Sequence, residues 1–229
     1  MPSPSVTDIF FDLDHTLWDF DRNSMLAFQR VFKKHNIDMD VGQFIKVYEP
    51  INFEYWKRFR EDRVTKEELR RGRLTDAFNS FKMRLPLELI DLMAESYIVE
   101  LPVDNHLFDG TEEILTYLAE RYVLHIITNG FHQVQHLKLK NSGISPFFNT
   151  VTTSEEVGLK KPNPVIFQRA LEKASVQPSV SLMIGDTFEA DILGAEAIGM
   201  HTLYYNYRNE TVPQGYRAIR RLSEIKKHL

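Results

Sequence analysis

Asp12 and Asp14 lie two positions apart directly behind the apolar run Ile9-Phe10-Phe11. That run reads as the end of a buried strand. Two carboxylates where such a strand stops are costly without a cation, and in open α/β sheets ligands bind in the crevice outside the carboxyl ends of the strands. One carboxylate there can serve a hard metal ion and the other proton transfer. Asp-x-Asp-x-Thr also arises by chance in solvated loops, so the rest of the chain decides between the two readings.

Three further segments carry chemistry-bearing residues. Thr128-Asn129-Gly130 ends the apolar run that starts at Tyr122. Gly158-Leu159-Lys160-Lys161-Pro162-Asn163-Pro164 places a lysine at the entrance of a helical pattern. Gly185-Asp186-Thr187-Phe188-Glu189-Ala190-Asp191 follows Val180 to Ile184 and adds two carboxylates. Each segment follows a strand or lies in a strand–helix loop, so a parallel sheet brings all of them to one edge.

The inventory fits phosphoryl transfer. Mg²⁺ takes oxygen ligands, using one or two carboxylates plus substrate phosphate, and Asp12 and Asp186 can be those carboxylates. A carboxylate can also attack phosphorus to give an aspartyl-phosphate. Attack by an anion on an anion needs compensating charge, which Mg²⁺ and Lys161 would provide. The Thr128 hydroxyl and the backbone N–H groups of Asn129 and Gly130 can hold the other phosphate oxygens. Asp14 can protonate the leaving oxygen and then deprotonate the water that releases phosphate.

The elements that must position these residues are legible from periodicity. Apolar runs at Val6 to Phe11, Tyr122 to Ile127, Thr150 to Thr153, Val180 to Ile184 and Met200 to Tyr205 read as strands. Helical patterns fall between them at about 111–121, 131–141, 163–175 and 188–197. Thr111, followed by Glu112 and Glu113, reads as a helix N-cap, and Pro164 suits a first helical turn. This alternation predicts an α/β fold, a parallel sheet with helices on both faces. Residues 18–106 break the rhythm with helical patterns at about 22–35, 41–60, 66–83 and 87–100. Thr65-Lys66-Glu67-Glu68 is a capping box, and Leu69, Leu74, Phe78 and Phe81 form an apolar stripe behind it. A helical module inserted after the first strand and hinged near Trp18 and Asn105 can cover a site at Asp12.

Asp12-x-Asp14-x-Thr16, Thr128-Asn129-Gly130, Lys161-Pro162-x-Pro164 and Gly185-Asp186-Thr187-x-x-x-Asp191 resemble the four ordered motifs of the haloacid dehalogenase superfamily. The resemblance implies a Rossmann-like core, residues 1–17 plus 107–229, with an all-helical cap at 18–106. It implies Asp12 as nucleophile, Asp14 as general acid/base, and Thr128 and Lys161 on phosphate. It further implies Mg²⁺ held by the Asp12 and Asp186 carboxylates and the Asp14 carbonyl. Thr16 and Asp191 are then supporting residues, with Asp191 backing the metal site or the lysine. His15 departs from the glycine usual at its position, so its ring must point clear of the phosphate or line the substrate entrance.

A narrower resemblance rests on Thr16-Leu17-Trp18-Asp19-Phe20, Asn52-x-x-x-Trp56, Thr128-Asn129-Gly130 and Lys138-Leu139-x-x-Ser142-Gly143-Ile144-x-x-Phe147-Phe148. These look like bacterial pyrimidine 5′-nucleotidases that act on noncanonical nucleoside monophosphates. The expected partner is thus a small phosphorylated metabolite, a nucleoside monophosphate. Trp56 can stack on a base, although an aromatic at helical spacing is more often core, and Asn52 lies one turn earlier. Arg70, Arg71 and Arg73 read as a solvated helix face, with Arg73 the one chosen by resemblance to reach phosphate or ribose. His125 reads as a packed or hydrogen-bonded core residue. His132 and His136 lack a nearby third ligand and read as surface residues. Lys160 reads as solvated.

The bulk composition sets outer bounds. The 229 residues carry 28 basic and 32 acidic side chains, a net charge of -4 that does not favour a nucleic-acid polymer. The absence of cysteine excludes disulfides, Cys–zinc sites and thiol nucleophiles, and fits a cytoplasmic setting. No run reaches transmembrane length, and Met1-Pro2-Ser3-Pro4-Ser5 lacks the features of a leader. Rival readings are a phosphosugar mutase, a phosphatase of another small metabolite, a haloacid dehalogenase and a catalytically silent binding protein. Asp14 and Asp186 favour phosphate over attack on carbon.

Overall fold

The computed structural model describes residues 6–229. Met1 to Ser5, read above as lacking leader features, lie outside the described residues. The chain runs β1 (Asp8–Phe11), α1 (Phe20–His35), α2 (Val41–Arg60), α3 (Lys66–Ser80), α4 (Leu87–Glu100), α5 (Thr111–Ala119), β2 (Val123–Thr128), α6 (His132–Asn141), β3 (Phe148–Thr153), α7 (Ser154–Val157), α8 (Pro164–Ala174), β4 (Ser181–Gly185), α9 (Gly194–Glu196), β5 (His201–Tyr205) and β6 (Ala218–Ile219). It divides into two compact units: residues up to Asp19 together with Asn105–Leu229, and Phe20–Asp104.

The first unit is a six-stranded sheet in the order β3-β2-β1-β4-β5-β6, with every pair parallel. The order reverses between β1 and β4, which makes their carboxyl ends the crevice of the sheet. Register places Phe11 opposite Ile126 and Ile184, so Asp12, Asp186 and Thr128 emerge at the same edge. β1 is buried along its whole length, as a central parallel strand with both faces covered should be. Phe10, Ile166, Phe167 and Met183 form the core beneath α8. Complete burial of one such side chain is worth roughly 1.5–3 kcal/mol. Pro164 opens α8, and the Asn163 side chain caps it by accepting from the Val165 N–H at 3.0 Å.

Three local expectations are corrected. A sixth strand, β6, pairs with β5 at Tyr204–Ala218 and Tyr205–Ile219; two residues carry no readable period. The helical pattern at 188–197 is a π-helical turn, Phe188–Leu193, leading into α9. The N-cap of α5 is Gly110, at φ 82°, rather than Thr111. Thr111 sits in the first turn, where its hydroxyl donates to the Phe108 carbonyl at 2.7 Å instead of capping.

The Phe20–Asp104 unit is four helices around an aromatic cluster. Phe28 stacks on Tyr97 with ring centroids 4.4 Å apart and meets Phe44 and Tyr48 edge-on at 5.0 and 4.7 Å. The capping box at Thr65 and Glu68 opens α3. Leu69, Leu74 and Phe78 are buried behind it. Among the described residues, no helix is long and apolar enough to cross a membrane.

Candidate active site

The turn after β1 is built by its own backbone. The N–H groups of Leu17 and Trp18 both donate to the Leu13 carbonyl, and His15 N–H donates to the Trp18 carbonyl. His15 holds the turn at φ 61°, a left-handed conformation in which His is enriched among non-glycine residues. Its ring turns toward Tyr207, whose hydroxyl lies 2.9 Å from Nδ1, and toward Arg208 at 3.2 Å. Burial, with Arg208 and Lys138 nearby, holds the imidazole well below its ordinary pKa. Thr16 lies fully buried in the turn, and its hydroxyl has no hydrogen-bond partner.

Asp12 stands in the crevice, its N–H bonded to the Ile184 carbonyl. Lys161 reaches it from the loop before α8. The buried Lys161 ammonium donates to Asp12 Oδ1 at 2.6 Å and to the Ile127 carbonyl at 2.7 Å, and pairs with Asp191 Oδ1 at 2.7 Å. Asp191 is buried on the π-helical turn and accepts from the Thr187 N–H at 2.9 Å. Gly185 is required here, because a β-carbon would stand 2.3 Å from the Asp191 carboxylate.

The carboxylates of Asp12, Asp186 and Asp191 come within 4.8 Å of one another. Burial, reinforced by Asp191 and Asp14 against the pull of Lys161, pushes the Asp12 carboxyl from 3.8 up to about 7. Burial, followed by Asp12 and Asp191, raises Asp186 well above the ordinary range. Burial works against the Lys161 ammonium, but Asp12 and Asp191 outweigh it and hold its pKa above the usual lysine value. Arg208 Nη1 lies 3.6 Å from Asp186. Three buried carboxylates around one buried ammonium form a hard-oxygen set with charge left to balance, which suits Mg²⁺. Asp191 has Lys161 on Oδ1 and the Thr187 N–H on Oδ2, whereas Lys161 meets Asp12 at Oδ1 alone.

The loop after β2 completes the edge. Thr128 Oγ1 accepts from the Gly130 N–H at 3.2 Å and from Gln135 Nε2 at 2.7 Å. Its own proton therefore remains available to donate. The Thr128 hydroxyl does not cap α6, whose N-cap is Phe131. Asn129 clamps the lysine loop reciprocally: Nδ2 donates to the Lys161 carbonyl at 3.0 Å, and Oδ1 accepts from the Lys161 N–H at 2.8 Å. Asp14 is bracketed by α6, from Lys138 at 2.6 Å and Gln135 at 3.0 Å. The Asn129 side chain, Gln135 and Arg208 carry no motif spacing that marks them. Lys138 opens the Lys138–Phe148 stretch, where spacing alone gives it no chemistry.

The remaining candidates separate clearly. His125 is buried, stacked on Phe10, and hydrogen-bonded to Thr150 at 2.8 Å and Asp8 at 3.0 Å. His132 bonds to Thr153, and His136 is exposed. In the helical unit Trp56 is half-buried, edge-on to Phe59 at 5.7 Å. The arginine run is not a uniform solvated face. Arg71 pairs with Asp91 through two bonds of 2.8 Å, and Arg73 is buried. Arg73 donates to Asn52 Oδ1 at 2.8 Å and lies over the Tyr97 ring at 5.3 Å, because α2, α3 and α4 turn that face inward.

Comparison with known proteins agrees with this architecture. Pyrimidine 5′-nucleotidase YjjG of Escherichia coli K12 is 34% identical over 90% of this chain and 89% of its own. Pyrimidine 5′-nucleotidase PynA of Streptococcus pneumoniae R6 is 32% identical over 86% and 83%. The magnesium-bound structure of the HAD-hydrolase YfnB from Bacillus subtilis matches with a TM-score of 0.88 at 28% identity, covering 97% of each chain. Residues 9–205 match the haloacid dehalogenase-like hydrolase family, which spans the crevice, the lysine loop and the helical insertion, and the chain belongs to that family of enzymes.

Proposed function

We propose that the chain is a Mg²⁺-dependent phosphomonoesterase working through an aspartyl-phosphate on Asp12, with pyrimidine nucleoside monophosphates as substrates. The observation that carries the reading is the buried set of Asp12, Asp186 and Asp191 around Lys161. In this reading Asp12, Asp186 and the Asp14 carbonyl would hold Mg²⁺, which would supply charge neutralisation to the phosphate. Asp12 attacks phosphorus while Asp14 gives its proton to the departing oxygen. Asp14 then takes a proton from the water that cleaves the acyl-phosphate bond, releasing inorganic phosphate. Lys161 orients Asp12 and offsets the approaching anion. The free proton of Thr128 and the N–H groups of Asn129 and Gly130 bind phosphate oxygens, and Thr16 and Asp191 support the site.

Residues 18–106 are assigned to substrate selection through Trp56, with Asn52 one turn earlier; the expected reach of Arg73 to phosphate or ribose gives way to its inward contacts with Asn52 and Tyr97. The nucleotide preference is supported by the two nucleotidase relatives and by the one-turn spacing of Asn52 and Trp56 on α2. The test is a screen of nucleotide and sugar monophosphates for phosphate release, with Mg²⁺ and with EDTA. Fastest metal-dependent release from pyrimidine monophosphates is expected. Preference for a sugar phosphate would replace the substrate assignment, and release after exhaustive chelation would end the metal-dependent mechanism. A bisphosphate-activated isomer product would instead identify a mutase.

A further inference from the structure

The carboxylate of Asp14 is held at both oxygens by one face of α6. Lys138 Nζ donates to Oδ1 at 2.6 Å, and Gln135 Nε2 donates to Oδ2 at 3.0 Å. The two residues are three apart, the spacing that puts helical side chains on the same face. Lys138 is only 2% exposed, and its ammonium lies 4.2 Å above the ring of Trp18. Trp18 is itself fixed in the Asp14 turn, bridged to Asp14 on one side and Leu107 on the other. Lysines are almost never this buried unless paired, and an apolar residue of similar length would fill the space without desolvating a charge.

We propose that Lys138, seated on Trp18, is a positioning residue that aims the Asp14 carboxylate at the leaving oxygen. Gln135 is its counterpart and does a second job. The same Nε2 donates to Thr128 Oγ1 at 2.7 Å, so one helix face sets the acid–base group and the phosphate-binding hydroxyl in register. Lys161 aims the nucleophile and Lys138 aims the proton donor. The sequence stretches around Trp18 and Lys138 thereby acquire a shared chemical purpose, although the two partners of the Lys138–Asp14 pair stand 124 positions apart.

This rests on the phosphatase reading, and the experiment separates the two. Single-turnover phosphorylation is measured with an alkyl phosphate ester and with p-nitrophenyl phosphate, for the wild-type chain, Lys138→Met, Asp14→Asn and the double variant. A good leaving group needs little protonation, so Lys138→Met should slow the alkyl ester by about a hundredfold and p-nitrophenyl phosphate by less than about fivefold. In the Asp14→Asn background it should cost less than about twofold further. Lys138→Gln, too short to span the same gap but still polar, carries the same comparison if the methionine variant does not fold. Equal losses on both esters, or a full additional loss on top of Asp14→Asn, would overturn the positioning role. A wild-type chain that releases phosphate from neither ester would instead overturn the phosphatase reading.

Discussion

The side-chain amide of Gln135 occupies the space in front of the Gly130 α-carbon: a β-carbon there would stand 2.3 Å from Gln135 Cδ. A side chain there would have to displace the Gln135 amide, so the constraint at Gly130 is a close approach rather than a left-handed φ. Gly130→Ala should cost about 1–3 kcal/mol of stability by overpacking. It should also slow turnover, because Gln135 is tied to Thr128 and Asp14. In a Gln135→Ala background the stability cost should largely vanish. Thermal melts of the single and double variants check this. An undiminished cost in the double variant would place the clash elsewhere.

Asp12→Asn should lower phosphate release by at least about a thousandfold, since the amide cannot attack phosphorus. The fold should survive, because the change removes the charge that Asp12 sets against Asp186 while Asp191 still pairs with Lys161. Phosphate release and circular dichroism, measured on the same sample, decide the matter. Near-normal release from a folded variant would remove Asp12 from the nucleophile role.

The strand ends were readable because central parallel strands are short, uniformly apolar and stop at polar residues. Ile9 to Phe11 before Asp12 and Leu182 to Ile184 before Asp186 both have this form. Thr128 and Asp186 follow from the same logic and Lys161 from its place at a helix entrance, and the structure gathers them at one edge. The rest depends on pairings that no local pattern encodes. Lys138 meets Asp14 and Asn129 clamps Lys161 only after β1, β2 and the lysine loop are assembled. The arginine run reads as a solvated face, with Arg73 the one expected to reach phosphate or ribose, yet tertiary packing buries Arg73 against the Tyr97 ring. The two-residue β6 and the π-helical turn are too short or too irregular to leave a period.

Stability should fall as pH rises wherever the folded chain holds protons that the unfolded chain has lost. Asp12 is raised from 3.8 to about 7 and Asp186 is raised in the same direction. Between about pH 4 and 7 the folded state thus binds more protons, and its stability declines across that window. In the proposed mechanism Mg²⁺ takes the ionised carboxylates, so it would compete with protons at the low end. Added at about a hundredfold excess over its Kd, it should raise Tm by roughly 5–10 °C at pH 8 and by much less at pH 5. Differential scanning fluorimetry at both pH values reads this directly. An equal or larger shift at pH 5 would mean that the ion binds somewhere other than these carboxylates.

The groups proposed to bind phosphate at the sheet edge say nothing about what the phosphate is attached to, so selectivity must come from other side chains. Trp56 is half-buried on α2 and meets Phe59 in a T-shaped contact with ring centroids 5.7 Å apart. Asn52 has its amide oxygen engaged by Arg73 at 2.8 Å, which fixes the side chain one turn before Trp56. A base stacked on an aromatic ring gains about 1–3 kcal/mol. Trp56→Ala should accordingly raise KM for a pyrimidine monophosphate about tenfold or more, and leave KM for acetyl phosphate within about twofold. If Trp56 serves only the packing of α2, the substitution should lower Tm and change both substrates alike. That outcome would end the stacking assignment and leave the chemistry at Asp12 untouched.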